Sequence, residues 1–587
     1  MCSDLNNQRN TQNKKQGLQI LVSLLLIVAS VYLDLKIPDY MAKITMYVQT
    51  PGHSVSEIIG EGKWMILAAL ASLLSTVLVG YLSSVISSSF SRDLRSRIFA
   101  KVESFSQKDI NEFSTASLIT RSTNDITQIQ MAIVIGLQIL IKAPIMAVWA
   151  ITKIYNKGFE WTVATAITLL ILIVFVAIIM ILVMPKFKIM QSLTDNINRV
   201  LRENLTGLSV IRAYNSESYR EDKFAEANEE LTQTQLFTSK IMATLSPTIN
   251  LAMSILTLVI YFIGAGLISQ ANLMDKYTLF SDMVVFSSYA MQVIMSFMMM
   301  SMIFIMLPRA EVSASRINEV LDTEISIADG SKEKIVEKSP YIIEFDNVSF
   351  KYQDSEQYIL KDLNFKVKKG EKVAIIGSTG SGKSTILNLL MRFYDPSEGS
   401  IMIDGMDIRD YKLADLYDKL GPVLQKSFLF KGDIKSNISF ADESFDLDKI
   451  KKAADIAQAS EFIEKYDDKF DHEIAQLGKN VSGGQKQRLA IARAIYKNPD
   501  IYLFDDSFSA LDFKTDRDLR HRLKEAYPEA TILVVAQRVG SIMDSDQIIV
   551  LDNGEIVGLG KHKDLLQNCE VYKEIASSQL SKEELDG

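Results

Sequence analysis

The sequence predicts a two-part protein: a membrane α-helical domain of six transmembrane helices with long extensions beyond the bilayer, joined to an α/β domain built around a phosphate-binding loop. Three observations carry that prediction. Long apolar runs crowd the chain up to about residue 325, the remainder is charged with mixed strand and helix patterning, and a glycine-rich loop at 377–385 stands between an apolar strand and an amphipathic helix. A single soluble enzyme is excluded, although 587 residues at about 150 per domain would make roughly four soluble domains. With 63 Lys+Arg against 71 Asp+Glu the net charge is −8, which argues against nucleic acid as a partner. The two cysteines, Cys2 and Cys569, sit at opposite ends, so no disulfide framework or thiolate metal site is implied and both are expected reduced.

A bilayer core of about 30 Å takes about 20 apolar helical residues. Six runs qualify, at about 17–37, 63–88, 131–152, 159–184, 245–269 and 279–307. The first is not read as a cleavable signal peptide: sixteen largely polar residues precede it, no small-residue cleavage site follows, and Pro38 is expected to end it. An even number of spans puts both termini on one side. Arg92, Arg95, Arg97, Lys101, Lys108 and Arg121 crowd the second connection, and Lys186, Lys188, Arg199, Arg202, Arg212, Arg220 and Lys223 the fourth, so these are expected to be cytoplasmic. Trp64, Trp149 and Trp161 then fall at the opposite face, where amphipathic rings anchor at headgroups. The two inner connections, of about 45 and 60 residues, keep a helical pattern with little Gly or Pro. Their helices must run on past the bilayer and reverse near Gln107–Phe113 and Gly207–Tyr214.

Within the spans, Lys142 and Gln138 are costly in lipid and mark a pathway, or else Lys142 snorkels or pairs inside the bundle. Met291, Met295, Met298, Met299, Met300, Met302 and Met306 make the sixth span rich in adaptable thioethers, which suit a pocket for varied apolar ligands or ordinary helix packing. Gly264 and Gly266 are read as close packing.

The glycine-rich loop is Gly377-Ser378-Thr379-Gly380-Ser381-Gly382-Lys383-Ser384-Thr385. Its glycines let backbone N–H groups face phosphate, the helix that follows adds its dipole, Lys383 reaches the β- and γ-phosphates of ATP, and Ser384 ligates Mg²⁺. The apolar strand Ile501–Phe504 ends in Asp505, a carboxylate placed to hold Mg²⁺, and Asp506 takes the position of a general base for water. Between them Ser482-Gly483-Gly484-Gln485 opens a second helix, again a setting that suits an anion.

Taken together these motifs resemble a half-size ABC exporter, a six-span transmembrane domain fused to one ATP-binding domain, and the resemblance covers nearly the whole chain. It implies a transmembrane domain at 1–325, a linker at 326–340 and an ABC ATPase domain at 341–587. It also implies roles: Tyr352 as the aromatic under adenine, Gln425 as the glutamine that senses Mg²⁺ and touches the membrane domain, Ser482 to Gln485 as the signature that completes a partner's ATP site, and Ser509 to Asp512 as the loop between the two sites. The reversals at Gln107–Phe113 and Gly207–Tyr214 become coupling helices, and two such chains must meet to make complete sites.

Two positions depart from the family pattern. Glutamate usually follows the Mg²⁺ aspartate, and here Asp506 stands there; histidine usually ends the last core strand, and here it is Gln537. The histidines, His53, His472, His521 and His562, all lie elsewhere. Asp506 is one methylene short, and a misplacement of about 1 Å can cost about 10²-fold in rate. Glutamine donates a hydrogen bond but neither carries charge nor trades a proton. Gln476 also replaces a frequent glutamate just before the signature, whose own residues are intact. The expectation is a site that binds ATP but hydrolyses it poorly, in a heterodimer whose partner chain carries the active site. The protein is expected in the cell membrane, with both termini and the ATPase domain cytoplasmic and a hydrophobic small molecule as substrate; a homodimer or an ATP-gated or regulatory membrane protein is the alternative.

Overall fold

The computed structural model describes residues 2–50, 52–155, 157–330, 339–352, 355–440, 442 and 446–580; side chains are not described at 2–15, 188, 273–274, 301–306 and 308. Positions 331–338 of the expected linker and the side chains of Cys2, Lys188, Met302 and Met306 therefore lie outside the described residues. The chain divides into two compact units, one of Met1–Val102 with Ala116–Thr323, the other of Glu103–Thr115 with Glu324–Gly587.

The first unit is helical. It holds α1 (Cys2–Gln49) and α2 (Val55–Glu103); α3 (Gln107–Phe113) belongs to the second unit. Then come α4 (Thr115–Thr120), α5 (Ile126–Ile135), α6 (Lys142–Tyr155), α7 (Phe159–Thr206), α8 (Leu208–Ala213), α9 (Glu217–Ala243), α10 (Leu245–Gln270) and α11 (Leu273–Asp322). Among the described residues, six helices are long and apolar enough to cross a membrane. Helices of 48 to 50 residues run about 72–75 Å at 1.5 Å per residue, more than twice a bilayer's hydrocarbon thickness. The chain reverses in the short helices α3 and α8, within the segments where the sequence expects turns. α4, α5 and α6 are joined by π-helical turns at Arg121–Asp125 and Gly136–Leu140, so the third span is rewound twice.

Pro38 does not end the first helix, which runs on to Gln49. A proline there strips a donor from the carbonyl of Asp34, and α11 supplies replacements: Gln292 Nε2 reaches Asp34 O at 3.5 Å and Tyr289 Oη donates to Leu35 O at 3.0 Å. Lys142 pairs inside the bundle, 3.0 Å from Asp34 Oδ2, whose other oxygen accepts the Ser72 hydroxyl. Trp161 is not at the surface. It is 1% exposed, its ring 5.5 Å from that of Phe286, and Gly264 leaves the space that Met283 and Trp161 fill. Gly266, by contrast, has open space where a Cβ would stand, with no described atom within 4 Å. In the methionine run, Met298 packs on the core while Met291, Met295 and Met299 are exposed.

In the second unit, β1 (Tyr341–Phe350), β2 (Leu360–Lys368), β3 (Lys372–Gly377), β4 (Glu398–Ile403), β5 (Met406–Asp407) and β6 (Leu420–Val423) come first. β7 (Gly432–Asp433), β8 (Glu473–Ile474), β9 (Ile501–Asp505), β10 (Thr531–Val535), β11 (Gln547–Asp552) and β12 (Glu555–Gly560) follow. β2-β1-β4-β5 form an antiparallel sheet, β7 and β8 a two-stranded ladder, and β12-β11-β3-β10-β9-β6 a larger sheet whose strands are parallel from β11 to β6. β3, β9 and β10 are apolar almost throughout because both faces of this sheet are covered, one by helices and the other by the antiparallel sheet and one helix. Two hydrophobic clusters fill the space, one centred on the helix Gly483–Lys497 under the parallel sheet, the other between the two sheets and the helix Lys383–Leu390.

Candidate functional site

In an open parallel sheet, ligands sit outside the carboxyl ends of the strands. Four neighbouring strands here deliver polar residues to that edge. β3 runs into the loop from Gly377, β10 leads to Gln537, β9 ends in Asp505 and Asp506, and β6 leads to Gln425. The register makes them level: Val535 pairs with Ile375 on one side and with Asp505 on the other, and Val423 with Phe504.

The loop itself is shaped by glycine. Gly380 and Gly382 hold left-handed backbone at φ +85° and +97°, and a Cβ at Gly377 would run into the carbonyl of Leu551. Gly382 is the N-cap of the helix Lys383–Leu390, so the loop closes on that helix's N-terminus. Lys383 Nζ folds back onto its own loop, donating to Gly377 O at 2.9 Å and Ser378 O at 2.6 Å, with Ser381 Oγ at 3.5 Å. Burial pushes the Lys383 ammonium below its ordinary pKa, an effect that the carboxylates of Asp506 and Asp505 oppose. Thr379 is exposed at the loop's rim.

Ser384 Oγ donates to Asp505 Oδ1 at 2.9 Å. A hydroxyl facing a carboxylate is an all-oxygen donor pair of the kind a hard cation such as Mg²⁺ takes, and the Gln425 side chain bonds the neighbouring Asp506. Burial raises the pKa of Asp505, while the Ser384 hydrogen bond lowers it; Asp506 is likewise raised by burial, eased by hydrogen bonds from Ser509 and Gln425.

Asp506 lies one residue beyond β9 with φ +48°, a left-handed conformation that aspartate tolerates better than most residues. Its N–H is fixed on Val535 O at 2.9 Å. Gln537 Nε2 donates to Asp506 Oδ2 at 2.9 Å, so the two residues that depart from the family pattern bond to each other. Ser507, fully buried, ties β9 to β6 through Val423 O at 2.7 Å.

Tyr352 reaches Thr385 Oγ1 at 3.4 Å and meets the Tyr394 ring edge-on at 5.2 Å. Tyr394 Oη in turn accepts Asn111 Nδ2 of α3 at 3.3 Å. A cleft of about 810 Å³ opens between these aromatic residues and α3, lined also by Lys108, Glu112 and Ser326.

Ser482, Gly483, Gly484 and Gln485 stand apart from this cluster. Ser482 is the N-cap of the helix Gly483–Lys497, accepting Gln485 N at 3.3 Å, while Gln485 Oε1 accepts Ser482 N at 2.8 Å. This capping box leaves Gly483 with open space around it, and a Cβ at Gly484 would lie 3.2 Å from Ala510 O. The loop Ser509–Asp512 thus touches both groups: Ser509 Oγ bonds Asp506 O at 2.8 Å, and Asp512 caps the helix Phe513–Ala526 through Thr515 N at 2.9 Å. The sequence gives no sign of three further participants. Asn111 and Tyr394 meet only in the fold, and Gln579 reaches the backbone around Arg538 from the last described helix.

Comparison with known proteins gives the family and the fold. A family model described as ABC transporter matches residues 360–509, and one described as ABC transporter transmembrane region matches 18–297. An uncharacterised ABC transporter ATP-binding protein of Mycobacterium tuberculosis is 35% identical over 95% of each chain. The ATP-dependent lipid A-core flippase of Pseudomonas aeruginosa is 30% identical over 88% of this chain and 85% of its own. Among solved structures, a bacterial Atm1-family ABC exporter with ATP bound superposes with a TM-score of 0.79 at 26% identity, covering 97% of this chain and 99% of the other.

Proposed function

Because the chain belongs to the ABC exporter family, with transmembrane and ATPase domains in one polypeptide, we propose that it is one subunit of a heterodimeric exporter and contributes the ATP site that is occupied rather than turned over. The observation that carries this is the Gln537–Asp506 hydrogen bond at 2.9 Å. The carboxylate in the base position is short, and the group bonded to it is an amide that accepts no proton.

In this reading Gly377 to Thr385 cradle the phosphates, Lys383 leaves its own loop carbonyls for phosphate oxygens, and Tyr352 with Tyr394 receives the adenine. Ser384, Asp505 and Gln425 hold Mg²⁺, which when bound supplies positive charge against the phosphates. Ser482 to Gln485 complete the partner's site, where hydrolysis takes place. α3 and α8 transmit closure of the ATPase domains to the spans, and both termini face the cytoplasm of a cell membrane. The cargo is an amphipathic or apolar compound. A lipid is a second reading, supported by the likeness to the Pseudomonas flippase.

Steady-state ATPase separates the alternatives. The chain alone is expected to turn over ATP slowly, and a co-expressed half-transporter with Glu and His at the two altered positions is expected to restore it. If alanine at that partner's glutamate leaves turnover intact while Asp506→Ala abolishes it, the assignment is inverted. Brisk turnover by the chain alone means a homodimer.

A further inference from the structure

The loop after β10 is exposed at Gln537 and Arg538, yet it is gripped from a part of the domain outside the nucleotide site. Gln579, the last residue of the helix Glu570–Gln579, donates from Nε2 to Gln537 O at 2.9 Å and accepts Val539 N–H on Oε1 at 2.8 Å. One planar amide therefore fixes the two backbone groups flanking Arg538, and with them the position and tilt of that peptide. The helix that carries it is itself anchored: Tyr572 and Ala576 are fully buried, and Tyr572 Oη meets His562 Nδ1 at 2.7 Å. On its other side the gripped loop presents the Gln537 side chain to Asp506 Oδ2 at 2.9 Å. Gln537 has little packing of its own to hold it there. The most direct route from Gln579 to the carboxylate runs through the Gln537 backbone and side chain; Arg538 between the two gripped groups lies farther off, its Nη2 3.5 Å from Ser509 O.

We infer that Gln579 is a positioning residue of this nucleotide site: through the C-terminal helix it sets where the Gln537 amide stands against Asp506, and so how long the site retains its nucleotide. This rests on the reading that the site holds ATP without consuming it.

The test is the release rate of a fluorescent, non-hydrolysable ATP analogue (methylanthraniloyl-AMP-PNP with Mg²⁺) from the full chain in lipid nanodiscs, chased with unlabelled ATP. Gln579→Ala removes both grips on the loop and should speed release roughly 3- to 10-fold, the range for losing the single Gln537–Asp506 hydrogen bond they position. Gln537→Ala, which keeps the backbone grip, should speed it by a similar factor, and the double variant should be no faster than either single one. Gln579→Glu keeps the acceptor for Val539 N–H and loses the donor, so it should fall between; Gln579→Met keeps the side-chain length and should match alanine. Factors that multiply in the double variant, or a Gln579→Ala melting temperature that falls while release is unchanged, would overturn the inference. Phosphate release from ATP by the same samples judges the underlying reading separately: rapid hydrolysis by the unmodified chain sinks the degenerate site, whereas the release cycle still decides whether Gln579 acts through Gln537.

Discussion

The nucleotide site has two sides that differ in kind. On the phosphate side, Gly377 to Thr385 and Asp505 have the residues such a loop needs, and their geometry is self-consistent: left-handed glycines, an ammonium held on its own loop carbonyls, and a serine hydroxyl on a carboxylate at 2.9 Å. On the water side, the Asp506 carboxylate accepts the Gln537 amide at 2.9 Å, and burial raises its pKa. In the proposed reading, binding and hydrolysis are separable within one strand edge. Phosphate affinity comes from backbone N–H groups and one ammonium, which tolerate changes nearby; proton abstraction depends on a single carboxylate placed to within about 1 Å.

The sharpest way to break that contrast is to rebuild the water side. Asp506→Glu with Gln537→His should raise ATP turnover at this site by about 10²-fold, measured with the partner's own site inactivated. No gain would place the defect elsewhere. Attacking the phosphate side should do the opposite: Lys383→Ala removes the charged donor and should weaken ATP binding roughly 10- to 100-fold in a titration, leaving the fold intact.

The acidic range tests the Asp505 environment. Burial raises its pKa in the folded domain, so the folded state takes up a proton that the unfolded chain still lacks. The empty domain should therefore gain stability as pH falls through the raised pKa and lose it as pH rises again. Mg²⁺-dependent nucleotide binding, which needs the ionised carboxylate, should weaken over the same window, starting above the pH at which an ordinary aspartate protonates. Calorimetry at several pH values reads both, and Asp505→Asn should reduce the stability trend to the part that Asp506, also raised by burial, still supplies. The smallest effect belongs to the signature. Ser482→Ala removes an N-cap and should cost about 1 kcal/mol in denaturant unfolding of the ATPase domain, without altering nucleotide affinity at this chain's own loop.

Much of this is legible in the sequence, because it is written in local patterns. Six apolar runs, the glycine loop, the strand ending at Asp505 and the serine-led helix at Ser482 each need only a short window, since backbone geometry and transfer from water act over a few residues. Pro38 was misleading for the complementary reason. A proline's missing donor ends a helix only if nothing else serves the freed carbonyl, and here Gln292 and Tyr289, over 250 residues away, serve that stretch of backbone. Trp161 reads as an interfacial ring from its position, yet Gly264 opens the gap that buries it.

Chain composition and short motifs set what each segment can bury and bind, so the membrane and ATPase domains, the phosphate loop and the two altered residues follow from them. The packed fold alone brings Asp506 to Gln537, Lys142 to Asp34, Asn111 to Tyr394 and Gln579 to the loop above them. Those pairs lie from 31 to 283 residues apart or depend on a shared strand edge, and a hydrogen bond is sensitive to tenths of an ångström that no local pattern encodes.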